Sequence, residues 1–253
     1  MSPAGLVLRL SGAEFEACWE YLGLGELPYV FDLPSPGRTW EERQHLLGGL
    51  YADLTSRGLA DRTGLAPELS EAITMLARFR WAVDARVFAA TPLRARAAVA
   101  GERAVLAVLD AQEDMELRQL PDHALLGQVA GLTGDAPTPR VASANIRETV
   151  LEAALGQAGD GDLRALTQRL VALGEPAGQA SALAHACTGI GAMGSFSVVT
   201  VDQDGRRRGS DNAVGWHTTA AGQFLQLRNN GWVTVTPGGR TQLTAQLRRL
   251  TGQ

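Results

Sequence analysis

The chain has no lysine; all 23 of its basic residues are arginine. A lysine Schiff base and a lysine-bearing phosphate loop are therefore excluded. Cysteine is almost missing as well, with Cys18 and Cys187 the whole supply. They form no Cys-x-x-Cys pair, so a structural zinc site is not expected. Each falls within an apolar helical stripe and reads as a buried thiol acting as a small hydrophobe. No apolar run approaches the ~20 residues that span a bilayer, and the start lacks a basic segment followed by an apolar one. The expectation is a soluble, cytoplasmic chain with no membrane partner. An excess of positive charge is also missing: the net charge is −4, which argues against bulk attraction to nucleic acid or anionic lipid. The four histidines, His45, His123, His185 and His217, share no i, i+4 spacing, so neither a metal nor any other cofactor is called for.

What is present is ordinary globular material, 45% hydrophobic and 20% charged, with enough apolar residues for a substantial core. The stretch that organises the rest runs from Phe196 to Thr236 and reads as four short strands. Phe196, Val198 and Thr200 alternate with Ser197, Val199 and Val201, the period of a strand. Asp204-Gly205 signals a turn and Arg206 to Arg208 resumes the strand. Val214 and Trp216 continue the apolar set, and Gly222 opens a strand through Phe224, Leu225 and Leu227. Asn229-Asn230-Gly231 is the strongest hairpin signal in the chain, because Asn-Gly accepts the positive φ of a primed turn. Trp232 to Thr236 returns and Pro237 stops it. A meander of this kind leaves one face for helices and one face free.

Upstream, Leu6 to Leu10 reads as a strand. Ser11 with Glu14, and Thr39 with Glu42, are capping boxes that start helices. Phe15, Cys18, Trp19 and Leu22 stripe the first helix; Leu46, Leu47, Leu50 and Leu54 stripe the second. Pro67 suits the first turn of a third, carrying Leu69, Ile73 and Leu76. Strands follow over Trp81 to Ala90, Arg94 to Ala100, Arg103 to Leu109 and Met115 to Leu120, then a helix through Leu125, Leu126 and Val129. Residues 134–140 form the best linker. Beyond it, Ile146, Val150, Leu151 and Ala154 read as one helical stripe and Leu163, Leu166, Leu170 and Leu173 as another. Pro176 opens a third, with Leu183, Ala186, Cys187 and Ile190. The Phe196–Thr236 strands come next, and a helix through Leu243, Leu247 and Leu250 closes the chain. The order repeats: Ala100-Gly101 echoes Ala221-Gly222, and strand, Pro121, helix echoes strand, Pro237, helix. This implies one domain over 1–253 built of two pseudo-equivalent halves, 1–135 and 140–253. Runs of helices followed by runs of strands give an α+β fold, its strands joined in one sheet.

Chemistry-bearing patterns are weak. Ser210, Asp211 and His217 lie close in sequence, but nothing around them resembles a strained nucleophile elbow. Gly189, Gly191 and Gly194 lie between a helix and a strand, the wrong order for a phosphate-binding loop, and read as a helix end and a strand entry. Arg206-Arg207-Arg208 is the one concentrated charge. Alternation sends Arg206 and Arg208 to one face and Arg207 to the other. Such a run protects a sheet edge or meets acidic groups of a protein partner; a single triplet neutralises few phosphates, so nucleic acid is not the expected partner.

An ordered set of short motifs adds to this reading. It comprises Leu10-Ser11 with Glu14-Phe15 and Trp19-Glu20; Leu22-Gly23-Leu24-Gly25-Glu26-Leu27-Pro28; and Pro34-Ser35-Pro36-Gly37 with Thr39 and Glu42-Arg43. Arg57-Gly58-Leu59, Val83-Asp84-Ala85-Arg86, Gly205-Arg206-Arg207-Arg208, His217-Thr218-Thr219-Ala220-Ala221-Gly222 and Trp232-Val233-Thr234-Val235 follow in the same order. Together they resemble the EspG family, associated with the ESX (type VII) secretion systems of actinobacteria. The resemblance implies a central antiparallel sheet flanked by helical bundles in two pseudo-symmetric halves. It implies a non-catalytic cytosolic chaperone that binds the helical tip of the PPE subunit of a PE–PPE heterodimer, or of a related helical-hairpin substrate. Contacts would come from the loop Ala90, Thr91, Pro92, Leu93 and Arg94, from the sheet around Arg206, Arg208, Gln226 and Arg228, and from the C-terminal helical bundle. The alternative is a small-molecule sensor or enzyme using the concavity of the sheet. A closed pocket holding His217 with an acidic partner would favour that alternative.

Overall fold

The computed structural model describes residues 6–34, 39–155, 162–202, 204, 206–209 and 213–253. The chain forms two compact units. One holds the residues up to Arg86 with Thr91–Leu125 and Val199–Arg208; the other holds Val87–Ala90, Leu126–Val198 and Gly209–Gln253.

The first unit begins with β1 (Val7–Ser11) and α1 (Gly12–Tyr21). Ser11 caps α1 as expected: its hydroxyl accepts from Glu14 N at 3.2 Å while the Glu14 carboxylate takes Ser11 N–H at 2.7 Å. The same reciprocal box at Thr39 and Glu42 starts α2 (Trp40–Ser56). A two-stranded ribbon, β2 (Ala60–Asp61) with β3 (Gly64–Leu65), follows. The sequence pattern gave no sign of it, because two-residue strands are too short to alternate. Then come α3 (Pro67–Ala77), β4 (Trp81–Phe88), β5 (Leu93–Ala100), β6 (Arg103–Leu109) and β7 (Asp114–Pro121). The strands are ordered β1-β7-β6-β5-β4. The apolar stripes of α1 and α3 meet this sheet: Phe15, Trp19, Leu69, Ile73 and Leu76 are buried with Ala98, Val105, Ala107 and Leu117. Arg96 of β5 is almost wholly buried among them and forks onto Asp84 of β4 with two bonds of 2.6 and 2.7 Å.

After α4 (Asp122–Gly131), the second unit contributes β8 (Ala144–Arg147), α5 (Glu148–Leu155), α6 (Leu163–Ala172), α7 (Ala177–Ala186) and β9 (Met193–Val201) as far as Val198. The chain continues through β10 (Arg207–Gly209), β11 (Val214–Thr219), β12 (Gly222–Asn229), β13 (Trp232–Pro237) and α8 (Arg240–Thr251). The strand order is β9-β11-β12-β13-β8. Asn230 and Gly231 turn from β12 to β13 at φ of 49° and 76°, the primed hairpin their sequence demands. Two helical readings need correction. Ile146 lies in β8, opposite Val233 of β13, and not on a helix; α5 begins two residues later. The spacing Ile146, Val150 fits a helix equally well, and the unpaired edge of β13 decides it. Ile190 lies outside α7, which ends at Ala186 with Cys187 as its C-cap, and is exposed.

The fold class is α+β, as the run of helices followed by strands implies. The sheet of the second unit is covered on both faces, where the sequence led us to expect one bare face. Helices α5, α6 and α7 pack over Phe224, Val233, Val235, Ala144 and Ile146. The opposite face, with Trp216 and Leu225 paired in register, is buried too, and α8 lies against β11. The amphipathic stripe of α8, with Leu243 and Leu247 fully buried, is what seals it. The segment before β8 is tied down: Pro137 O accepts Gln223 N–H at 2.8 Å and Asp135 pairs with Arg240 at 2.9 Å.

Candidate functional site

On the α5–α7 side the cover is incomplete. A trough of about 390 Å³ is left open between those helices and the sheet. Its helical wall is Leu151, Leu155, Leu166, Leu183 and Cys187; its floor is Ser195 of β9, Gly215 of β11, Gln226 and Arg228 of β12, and Val233 and Val235 of β13. The ladders explain the grouping. Gly215 faces Gln226, Gln226 faces Val235, and Arg228 faces Val233, and directly paired residues share a face of a sheet. Two features keep the trough open. Gly215 supplies no side chain where Gln226 lies across it, and Leu155 at the end of α5 is left 52% exposed. One rim is charged: Arg228, its side chain 70% exposed, reaches Glu148 at 3.4 Å.

His217 is on the same face of the sheet, two residues along β11 from Gly215, but it is covered by the end of α7 and does not line the trough. The ring is fully buried, stacked on Phe224 with centroids 5.4 Å apart, and both nitrogens are engaged, by Ala186 O and by the Gln226 amide, each at 2.8 Å. Burial pulls its pKa below the ordinary value, against a smaller upward pull from the Ala186 carbonyl. No acidic group pairs with it among these contacts. Ser210 and Asp211 lie outside the described residues. Among the described residues no group of three or more His, Cys, Asp and Glu is placed to hold a metal. Burial pushes the Cys18 thiol up to about 12 and raises that of Cys187.

The nine residues named from the sequence fall into three groups. Gln226 and Arg228 share the trough. Arg206 and Arg208 gather on Asp202, whose carboxylate accepts Arg208 Nε at 2.8 Å and Arg206 N–H at 2.9 Å. The Arg208 guanidinium, helped by that N–H, holds Asp202 below the usual carboxylate range. The Arg207 side chain points away from that of Arg208, as alternation requires. It donates to Ala77 O at the end of α3 at 2.8 Å and lies over the Phe79 ring, so it is a structural residue. The third group is the β4–β5 turn. Ala90, Thr91 and Pro92 are exposed at its tip, next to a Phe88 that is 59% exposed. Leu93 is half-buried, and Arg94 spends its guanidinium on Asp32 O at 3.1 Å.

Sequence reasoning missed the trough's walls. Leu151, Leu166 and Leu183 look like core residues, and Val233 and Val235 like any strand interior. The available signal was Gly215 inside a strand, which marks a close approach or an opening on that face. A second cleft, of about 580 Å³, lies by β1 and β7, and its arginines are paired within it: Arg57 with Glu14, and Arg9 and Arg118 with Glu116. An apolar cavity of about 210 Å³ sits between α1 and α2.

No curated protein matches the chain. Among solved structures, the type VII secretion system chaperone EspG5 of Mycobacterium tuberculosis, determined in complex with a PE25–PPE41 dimer, superimposes with a TM-score of 0.76. The match has 12% sequence identity and covers 97% of this chain and 95% of that one. At that identity the likeness speaks for the fold. The sequence itself carries more: the family model for EspG matches residues 11–249, nearly the whole length, and the chain belongs to the EspG family.

Proposed function

We propose that the chain is a non-catalytic cytosolic chaperone of type VII secretion, which docks the helical tip of the PPE subunit of a PE–PPE heterodimer. The observation that carries the reading is the open apolar trough of the second unit, in a chain that belongs to the EspG family throughout. The EspG5 relative was determined with a PE–PPE dimer, which supports the choice of client. A helical tip exposes aliphatic side chains that aggregate unless covered. Each one seated between Leu155, Leu183 and Val235 would gain about 1.5–3 kcal/mol. Arg228, with Glu148, would set orientation at the rim more than affinity. The exposed tip 90–92 and the Arg206–Arg208 edge are proposed as further contacts. Among the described residues no helix is long and apolar enough to cross a membrane.

The sensor or enzyme reading has less support. His217 is buried beside the trough with both nitrogens occupied by a carbonyl and an amide, so it offers no base to a substrate. Co-expression with the PE–PPE pair encoded nearest to this chain should give one complex on size exclusion. Persistent separate elution would count against the proposal.

A further inference from the structure

Gln226 is a polar group of the trough floor, and its orientation is decided by its neighbour on the same face of the sheet, His217. His217 Nε2 lies 2.8 Å from Ala186 O, at the end of α7. A backbone carbonyl can only accept, so Nε2 carries the ring proton. In the neutral ring this leaves a lone pair on Nδ1, and the group 2.8 Å from it is the Gln226 amide nitrogen. The amide must therefore donate to His217, and its carbonyl oxygen must turn the other way. It turns over Gly215, its partner in the β11–β12 ladder. A Cβ there would meet Gln226 Oε1 at 3.1 Å, so only a residue without a side chain leaves that oxygen bare.

We infer that His217 is a positioning residue that locks Gln226 with its carbonyl oxygen facing the trough. The docking site then selects a partner segment that brings a hydrogen-bond donor to that point, and rejects one that brings an acceptor. The inference rests on the trough being the docking surface. A helical tip suits it chemically, because the first four N–H groups of a helix have no partner within their own helix. Two acceptors facing each other across a closed interface leave both unsatisfied, and that mismatch weakens binding by about tenfold or more.

The test joins spectroscopy of the free chain to binding by variants. Long-range proton–nitrogen correlation of the His217 ring should show the Nε2–H tautomer at neutral pH; an Nδ1–H tautomer would overturn the inference. His217→Phe keeps a ring to stack on Phe224 but removes Nδ1, whereas His217→Asn restores an acceptor near the Nδ1 position. Against the PE–PPE heterodimer encoded nearest to the chain, His217→Phe should bind about tenfold more weakly, and His217→Asn within about twofold of wild type. Equal losses in both variants, in step with their stability, would mean a merely structural ring and would sink the proposal. If His217→Phe does not fold, Gln226→Glu keeps the test. A carboxylate can only accept, so His217 must donate from both nitrogens and its titration should move up by about one pH unit or more. An unmoved titration refutes the contact. Failure of the wild-type chain to hold any PE–PPE heterodimer removes the docking surface and the selection with it. The tautomer spectrum distinguishes that failure from a failure of the His217–Gln226 contact.

Discussion

Replacing Gly222 with alanine should unfold the second unit far more readily than a glycine substitution ordinarily would. Gly222 sits at φ +132°, where a side chain is strained, and an added Cβ would lie 2.1 Å from Pro137 O. Carbon and carbonyl oxygen tolerate about 3.3 Å, so the two backbones must part by roughly 1 Å. That movement breaks the 2.8 Å bond from Gln223 N–H to the same Pro137 oxygen, in a residue almost fully buried. Backbone strain of about 1–3 kcal/mol and an orphaned buried N–H of about 1–3 kcal/mol add to about 2–6 kcal/mol. Gly101 supplies the control. It occupies the echoing turn at φ +63°, and no atom of the described residues lies within 4 Å of its added Cβ, so alanine there should cost only about 1–2 kcal/mol. Urea denaturation of both variants beside wild type measures the difference. Midpoints that shift equally would refute the argument that the 134–140 segment is clamped onto β12.

Asp84→Ala should cost about 3–5 kcal/mol, because Arg96 is left buried without its counter-ion; a double change of Asp84 and Arg96 to apolar residues should recover much of the loss in the same denaturation assay. His217 should make stability pH-dependent. Its folded pKa lies below the unfolded value near 6.5, so the unfolded chain binds the extra proton and stability falls as pH drops through 6.5 toward the folded pKa. His217→Asn should flatten that part of the profile in thermal melts at a series of pH values. In thiol labelling at pH 8, Cys18 should stay unmodified until the chain unfolds, and Cys187 should react slowly; rapid native labelling of Cys18 would contradict its burial and raised pKa.

The elements were legible wherever a local rule forces the backbone. Ser11 with Glu14 and Thr39 with Glu42 fixed two helix starts, and Asn230-Gly231 fixed a hairpin, because each motif settles its own hydrogen bonds. Alternation was enough to separate Arg207 from Arg208, but not to reveal that Phe79 and the end of α3 receive it. Ile146 was misread because four residues between a linker and a helix carry no period of their own; the edge of β13 makes them a strand. The bare face expected of the meander was lost because α8 covers one side while α5–α7 cover most of the other. The trough escaped notice for a related reason. Its walls are ordinary core aliphatics from four elements, α5, α6, α7 and β13, and what distinguishes them is that no described residue fills the space between. Gln226 and Arg228 were named through the family resemblance, whereas the contact that orients Gln226 needs the β11–β12 register to be seen.

The central claim is that this trough receives the helical end of a partner, and filling it is the most direct challenge. Ser195 is exposed and lines the trough, so Ser195→Trp should occupy the space while the sheet beneath stays folded. Size exclusion with light scattering on the co-expressed chain and PE–PPE pair should give a ternary complex with one copy of each for wild type. The Ser195→Trp chain should elute apart from the heterodimer at an unchanged melting temperature. A ternary complex that forms equally well with the trough filled would contradict the account.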